Sequence, residues 1–136
     1  MKLACILAWI IAATAMGTAQ EKASTGDFTK SPTEHIINQM EQPFVVRSIR
    51  GIIIRKEGLR EPLSDVLFEI QGPGADKKIR KGTTDQQGRF KIARVPTGTY
   101  KFKATLNGFQ SVMGTVVVSP KATPAGEIKV EMPVGV

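Results

Sequence analysis

The chain has 136 residues and a formal charge of +7, with a single cysteine, a single histidine, a single tyrosine and a single tryptophan. That length allows one domain. So few histidines and cysteines exclude the usual zinc sites, thiol catalysis and a disulfide framework.

Met1 and Lys2 precede an almost wholly apolar run from Leu3 to Met16, and Gly17-Thr18-Ala19 comes next in a small-x-small pattern. This predicts a signal peptide over 1–19, cleaved after Ala19. The alternative, a retained anchor, meets a run shorter than the roughly 20 apolar residues needed to span a bilayer. Cys5 sits near the start of that run and not at its end, where a lipidation cysteine belongs, so the mature chain is expected to carry no thiol. The expected location is secreted or periplasmic, in the cell envelope, with no transmembrane segment left after cleavage.

Residues 20–43 read as a polar lead-in. Ser31-Pro32-Thr33-Glu34 is a helix-start pattern: Ser31 caps, Pro32 suits the first turn and Glu34 closes a capping box. Ile36, Ile37 and Met40 then share one side of a short helix, which Pro43 limits. Such a helix either docks on the domain or exchanges with coil.

From 44 to 136 the signals are those of strands. Phe44–Arg55 is one long β-prone run with Gly51 as a bulge or close-approach point. Val66, Phe68 and Ile70 alternate with Asp65, Leu67 and Glu69, and Gly72-Pro73-Gly74 breaks that strand. Lys78–Thr84 is a polar strand or extended loop. Asp85 and Gly88 define a turn: the carboxylate folds back on backbone N–H groups, and the glycine takes positive φ. Phe90 and Ile92 then alternate with Arg89 and Lys91. Pro96 and Gly98 set a second turn, after which Tyr100, Phe102, Ala104 and Leu106 alternate with Lys101, Lys103 and Thr105. Asn107-Gly108 is a tight-turn dipeptide. A valine-rich strand over Gln110–Ser119 is apolar on both faces: it is either internal, or a sheet edge that pairs with a partner strand. Glu127–Met132 closes the series, with Ile128, Val130 and Met132 inward. About seven strands at this spacing predict an all-β fold, a two-sheet antiparallel Greek-key sandwich. Val66, Phe68, Phe90, Ile92, Tyr100, Phe102 and Val116 are its expected core.

The ordered set Gly51-x-Ile53, Pro62-Leu63-x-Asp65-Val66-x-Phe68, Gly72-Pro73-Gly74, Thr84-Asp85-x-x-Gly88-Arg89-Phe90, Val95-Pro96-x-Gly98-x-Tyr100 and Asn107-Gly108-Phe109, with the closing Ile128-x-Val130, resembles the carboxypeptidase regulatory-like domain family. The resemblance covers roughly residues 45–133. It implies a seven-stranded transthyretin-like (prealbumin-type) sandwich, usually a non-catalytic accessory module of secreted or envelope proteins.

The chemistry of related sandwiches needs residues this chain lacks. Hydroxyisourate hydrolases use several histidines and a Tyr-Arg-Gly-Ser ending; here there is His35 alone, and the chain ends Met132-Pro133-Val134-Gly135-Val136. Intradiol dioxygenases hold iron with two tyrosines and two histidines. An isopeptide crosslink of the Cna B kind wants a lysine where Arg47 and Arg50 stand, and an asparagine where Lys129 and Glu131 stand. Asp85 lacks the companion oxygen ligands of a calcium site. No catalytic, cofactor-binding or metal-ligating residue is therefore expected, and no cofactor.

What remains is surface. Trp9 falls in the signal segment and the phenylalanines fall mostly on apolar strand faces, so a neutral-glycan aromatic platform is disfavoured. Lys78, Arg80, Arg89, Lys91, Lys101 and Lys103 form the expected binding patch, on a Lys/Arg-rich sheet face. The expected partner is an unidentified protein or, as the alternative, an acidic polysaccharide or other anionic envelope polymer bound by that face, and no specific nucleic acid.

Overall fold

The computed structural model describes residues 27–73 and 78–135; the predicted signal segment, with Cys5 and Trp9, lies outside these, as does Gly74. The described chain is all-β, with nine strands in two sheets. They are β1 (Ile37–Gln39), β2 (Phe44–Val46), β3 (Ile49–Arg55), β4 (Leu67–Gln71), β5 (Ile79–Thr83), β6 (Arg89–Ile92), β7 (Gly98–Thr105), β8 (Ser111–Val118) and β9 (Ile128–Met132). The larger sheet runs β1-β8-β7-β4-β5, with β2 also on β8; the smaller runs β6-β3-β9.

Two features correct the expectation of seven antiparallel strands. The lead-in adds β1, and β2 forms just after it. Three pairings, β1–β8, β2–β8 and β3–β9, are parallel. The valine-rich strand is thereby internal, held by β7 on one side and by β1 and β2 on the other. The run Phe44–Arg55 divides at Arg47-Ser48 and serves both sheets, β2 in the larger and β3 in the smaller.

The short helix predicted after Ser31 does not form; residues 31–35 turn and lead into β1. The Glu34 half of its capping box is nevertheless present, within a single turn. Ser31 N–H donates to Glu34 Oε1 (3.4 Å), Thr33 N–H to Ser31 Oγ (3.3 Å) and Glu34 N–H to the Ser31 carbonyl (3.1 Å). One turn is all these bonds sustain. A further turn of helix would leave the edge of β8 without backbone partners, whereas Ile37–Gln39 pairs with Ser111–Met113 as a strand.

The core lies between the sheets. Phe68 stacks on Phe90 of the opposite sheet (centroids 4.2 Å apart) and on Phe102 (5.1 Å). Val66, Ile92, Tyr100 and Val116 are buried with them, along with Ile53, Ile128, Val130 and Met132. Each such stacked pair adds about 0.5–1.5 kcal/mol beyond area burial. Gly51 is the close-approach point of β3: a Cβ there would meet the Ile128 backbone, with the Ile128 carbonyl carbon at 2.7 Å.

Candidate functional site: two basic sheet faces and an edge cleft

Strand alternation and register decide where each cation sits. On the smaller sheet, Phe90, Ile92, Gly51, Ile53, Ile128 and Val130 face inward, so Arg89, Lys91, Arg50, Ile52 and Lys129 face outward. Arg89, Ile52 and Lys129 lie in one cross-strand row, and Lys91 and Arg50 in the next. Arg89 is paired with Glu127 (3.4 Å), and Arg50 donates to the Pro124 carbonyl (3.2 Å). Lys91 and Lys129 are exposed, and their ammonium groups carry no partner among the described residues. Arg50 and Lys129 are not in the patch expected from sequence. Arg50 joins through the antiparallel pairing with Lys91 of β6 and Lys129 through the parallel β3–β9 register, neither of which alternation alone specifies.

Lys101 and Lys103 point from the outer face of the opposite sheet, on β7, while Lys78 and Arg80 belong to β5 and its approach, at that sheet's edge. The six expected patch residues are thus split between the two sheets.

Lys103 leaves the patch altogether. It is 1 % exposed, because residues 29–34 fold across the outer face of the larger sheet; Phe28, just before them, is buried as well. Its ammonium meets Glu34 Oε1 at 2.6 Å and donates to the Thr29 carbonyl at 2.9 Å. Ser111 Oγ donates to the same Glu34 oxygen at 2.6 Å. Beside them Glu69, the cross-strand partner of Lys103, accepts from Thr29 N–H (3.0 Å) and the Thr29 hydroxyl (3.1 Å). Burial pushes the Glu34 carboxyl up, but hydrogen bonds from Lys103 and Ser111, the Lys103 charge and the Ser31 N–H together outweigh it. The net result holds Glu34 below its ordinary pKa.

The turn residues have structural roles. Asp85 Oδ1 accepts from Gln87 N–H (2.9 Å) and Arg89 N–H (3.0 Å), and Gly88 sits at φ 75° with its N–H on the Asp85 carbonyl. A Cβ on Gly88 would also strike the Ile53 carbonyl oxygen at 2.7 Å, so the turn packs directly on β3. Thr84, buried beside it, donates to the Leu63 carbonyl (2.7 Å) and accepts from Val66 N–H (2.9 Å). Pro96 offers its carbonyl to the Tyr100 hydroxyl (2.6 Å), across the turn that leads through Gly98 into β7. Asn107 and Gly108 form the turn between β7 and β8, closed by Phe109 N–H on the Leu106 carbonyl (3.0 Å).

A cleft of about 370 Å³ opens between the two sheets at the edge where β9 faces β1. Lys56 and Lys129 reach it from the smaller sheet, Asn38, Gln39 and Met40 from the lead-in, with Val112 below. Glu131 is also in the wall, ion-paired with Arg60. Among the described residues no cluster of His, Cys, Asp and Glu is arranged to hold a metal ion.

The profile of the carboxypeptidase regulatory-like domain matches residues 48–132, well over half the chain. The protein belongs to the carboxypeptidase regulatory-like domain family. The match begins just ahead of β3, so β1, β2 and the strap over Lys103 precede it. No curated protein sequence matches the chain. Among solved structures, 3-chlorocatechol 1,2-dioxygenase from Rhodococcus opacus 1CP is similar at 16% identity and TM-score 0.43, over 79% of this chain and 68% of that one. Chlorocatechol 1,2-dioxygenase from Pseudomonas putida is similar at 11% identity and TM-score 0.38, over 79% and 70%.

Proposed function

We propose that this carboxypeptidase regulatory-like domain is a non-catalytic accessory module, exported to the cell envelope by its first 19 residues, that works by presenting contact surfaces. The observation that carries this reading is the use to which the chemistry-bearing side chains are put. Asp85 caps a turn, the Tyr100 hydroxyl is held by the Pro96 carbonyl, and Glu34, Glu69 and Lys103 fasten the lead-in to the sheet. None is presented in a cleft beside a nucleophile. Crosslinking of the mature protein in envelope extract, followed by identification of the captured species, tests it. A specific saturable partner is expected; a hydrolytic or oxidative activity abolished by one point substitution overturns it.

A second reading, as a binder of an anionic polymer, is favoured by one observation: the smaller sheet lines up Lys91, Arg50, Arg89 and Lys129 on one outward face. Retention on an acidic-polymer column at low salt, with release at moderate salt, supports it, and no retention sinks it.

A further inference from the structure

We infer that the outer face of the smaller sheet and the β1–β9 cleft form one continuous track for a linear acidic polysaccharide. The inference rests on the anionic-polymer reading, narrows it to the polysaccharide the sequence already allowed, and adds the path.

Continuity comes from Lys129. It ends the row Arg89–Ile52–Lys129 on the sheet face and also lines the cleft. A chain laid along that row crosses from β6 over β3 to β9, two strand spacings or about 10 Å. It then drops into the cleft, where Lys56 stands. Lys91, Lys129 and Lys56 are exposed and free of partners among the described residues, so they can engage an anion without first breaking an internal bond. Arg50, held by the Pro124 carbonyl, stands beside them as a fixed positive charge, whereas the charge of Arg89 is offset by Glu127.

The choice of ligand depends on what accompanies the charge. No aromatic side chain lies on the outward positions of β6, β3 or β9, so bases of a single-stranded nucleic acid have nothing to stack on. Ile52 is the one apolar side chain in the cationic rows and is half-buried, which gives a bilayer no insertion point on this face. In the cleft the lysines share the wall with Asn38 and with an apolar side formed by Met40 and Val112. Asn38 uses its NH₂ on Gln110 and Ser111, leaving its amide oxygen as an acceptor, while Gln39 turns its carboxamide to the Met113 sulfur on the other face of the sheet. Ammonium groups, a carboxamide oxygen and an apolar wall together match a ring that carries a carboxylate, hydroxyls and a C–H face. The Glu131 carboxylate in the wall is neutralised by Arg60 and does not set the sign of the site.

The test is titration of the folded mature protein with oligogalacturonates of graded length, alongside inorganic polyphosphate, oligothymidylate and phosphatidylglycerol vesicles. Saturable binding of the oligogalacturonates, tighter than polyphosphate at equal charge and moderate salt, is expected. Lys129→Gln and Lys56→Gln should each weaken it about five- to tenfold, as loss of a charge-assisted hydrogen bond at a half-open site implies. Asn38→Ala should weaken the saccharide and leave polyphosphate unchanged. Lys101→Gln, on the opposite face, should leave both unchanged. If polyphosphate, oligothymidylate or vesicles bind as well as the saccharide, the ligand class is wrong. If Lys101→Gln weakens binding and Lys129→Gln does not, the path is wrong while the anionic-polymer reading stands. If no polyanion binds at all, both fall.

Discussion

The Lys103 ammonium lies 2.6 Å from the Glu34 carboxylate, sealed beneath the strap that Glu34 itself belongs to. The pair joins a strand of the sandwich to a segment 69 residues earlier, and Ser111 and Thr29 complete its hydrogen bonds. Removing one partner leaves the other buried and uncompensated. Lys103→Met and Glu34→Gln should therefore each destabilise the domain by about 3–5 kcal/mol, whereas replacing both with apolar residues should recover much of that loss. Urea unfolding of the singles and the double measures it. Singles within about 1 kcal/mol of the parent would show that the pair contributes little, as exposed pairs do.

The same carboxylate gives the fold an acid limit. Glu34 is held below its ordinary value of 4.5, so the folded state binds its proton less readily than the unfolded chain does. Its contribution is full above that ordinary value and is lost as pH falls through the lower folded value. Unfolding free energy measured from neutral pH down into the acid range should decline more steeply for the parent than for Glu34→Gln. Parallel declines would remove Glu34 from the acid limb.

Asp85 is exposed yet organises the turn before β6 through two N–H bonds to one oxygen. Asp85→Ala should cost about 1 kcal/mol or somewhat more, and Asp85→Asn less, because a carboxamide oxygen can still accept. The asparagine variant refers the loss to hydrogen bonding and not to charge. Equal losses for both, read from denaturation midpoints, would assign it to charge instead.

How far the sequence reaches depends on the range over which each feature is determined. The turns at Asp85-Gly88 and Asn107-Gly108 and the inward sets on β4, β6, β7 and β9 come from local chemistry and period-2 alternation, and the structure has them where the residues place them. The lead-in shows the limit. Ser31-Pro32-Thr33-Glu34 makes its capping bonds, but the conformation of Ile37–Gln39 is decided by the edge of β8, more than 70 residues away. Lys103 has the alternation of a solvated lysine; only the strap crossing it makes it buried. Lys129 joins the basic face through the parallel β3–β9 register and Arg50 through its pairing with Lys91 of β6, neither of which a local pattern encodes.

Gly51 is where β3 and β9 come closest. A methyl group there would overlap the Ile128 backbone, which flexible side-chain movement cannot relieve. Gly51→Ala should push the strands apart along the five-residue register Gly51–Arg55 and cost more than the roughly 1 kcal/mol typical of a point substitution. Loss of amide protection in β9 ahead of β7, by hydrogen exchange, is the expected signature. Native stability in this variant would mean that the two strands can shift without penalty.

The family match begins at residue 48, but the sheet does not. β1 and β2 cover the outer edge of β8, whose eight residues Ser111–Val118 include Val112, Val116, Val117 and Val118. A chain starting at Ser48 would expose that edge, remove Glu34 from the buried Lys103 and uncover the outer face that Thr29 and Glu34 cover. An uncovered, valine-rich edge is a template for strand addition. Such a chain should aggregate or self-associate, and a chain starting at Asp27 should stay monodisperse under the same conditions. Light scattering at increasing concentration separates the two. If the shorter chain remains as stable and as disperse as the longer, the lead-in is an appendage and not part of the sandwich.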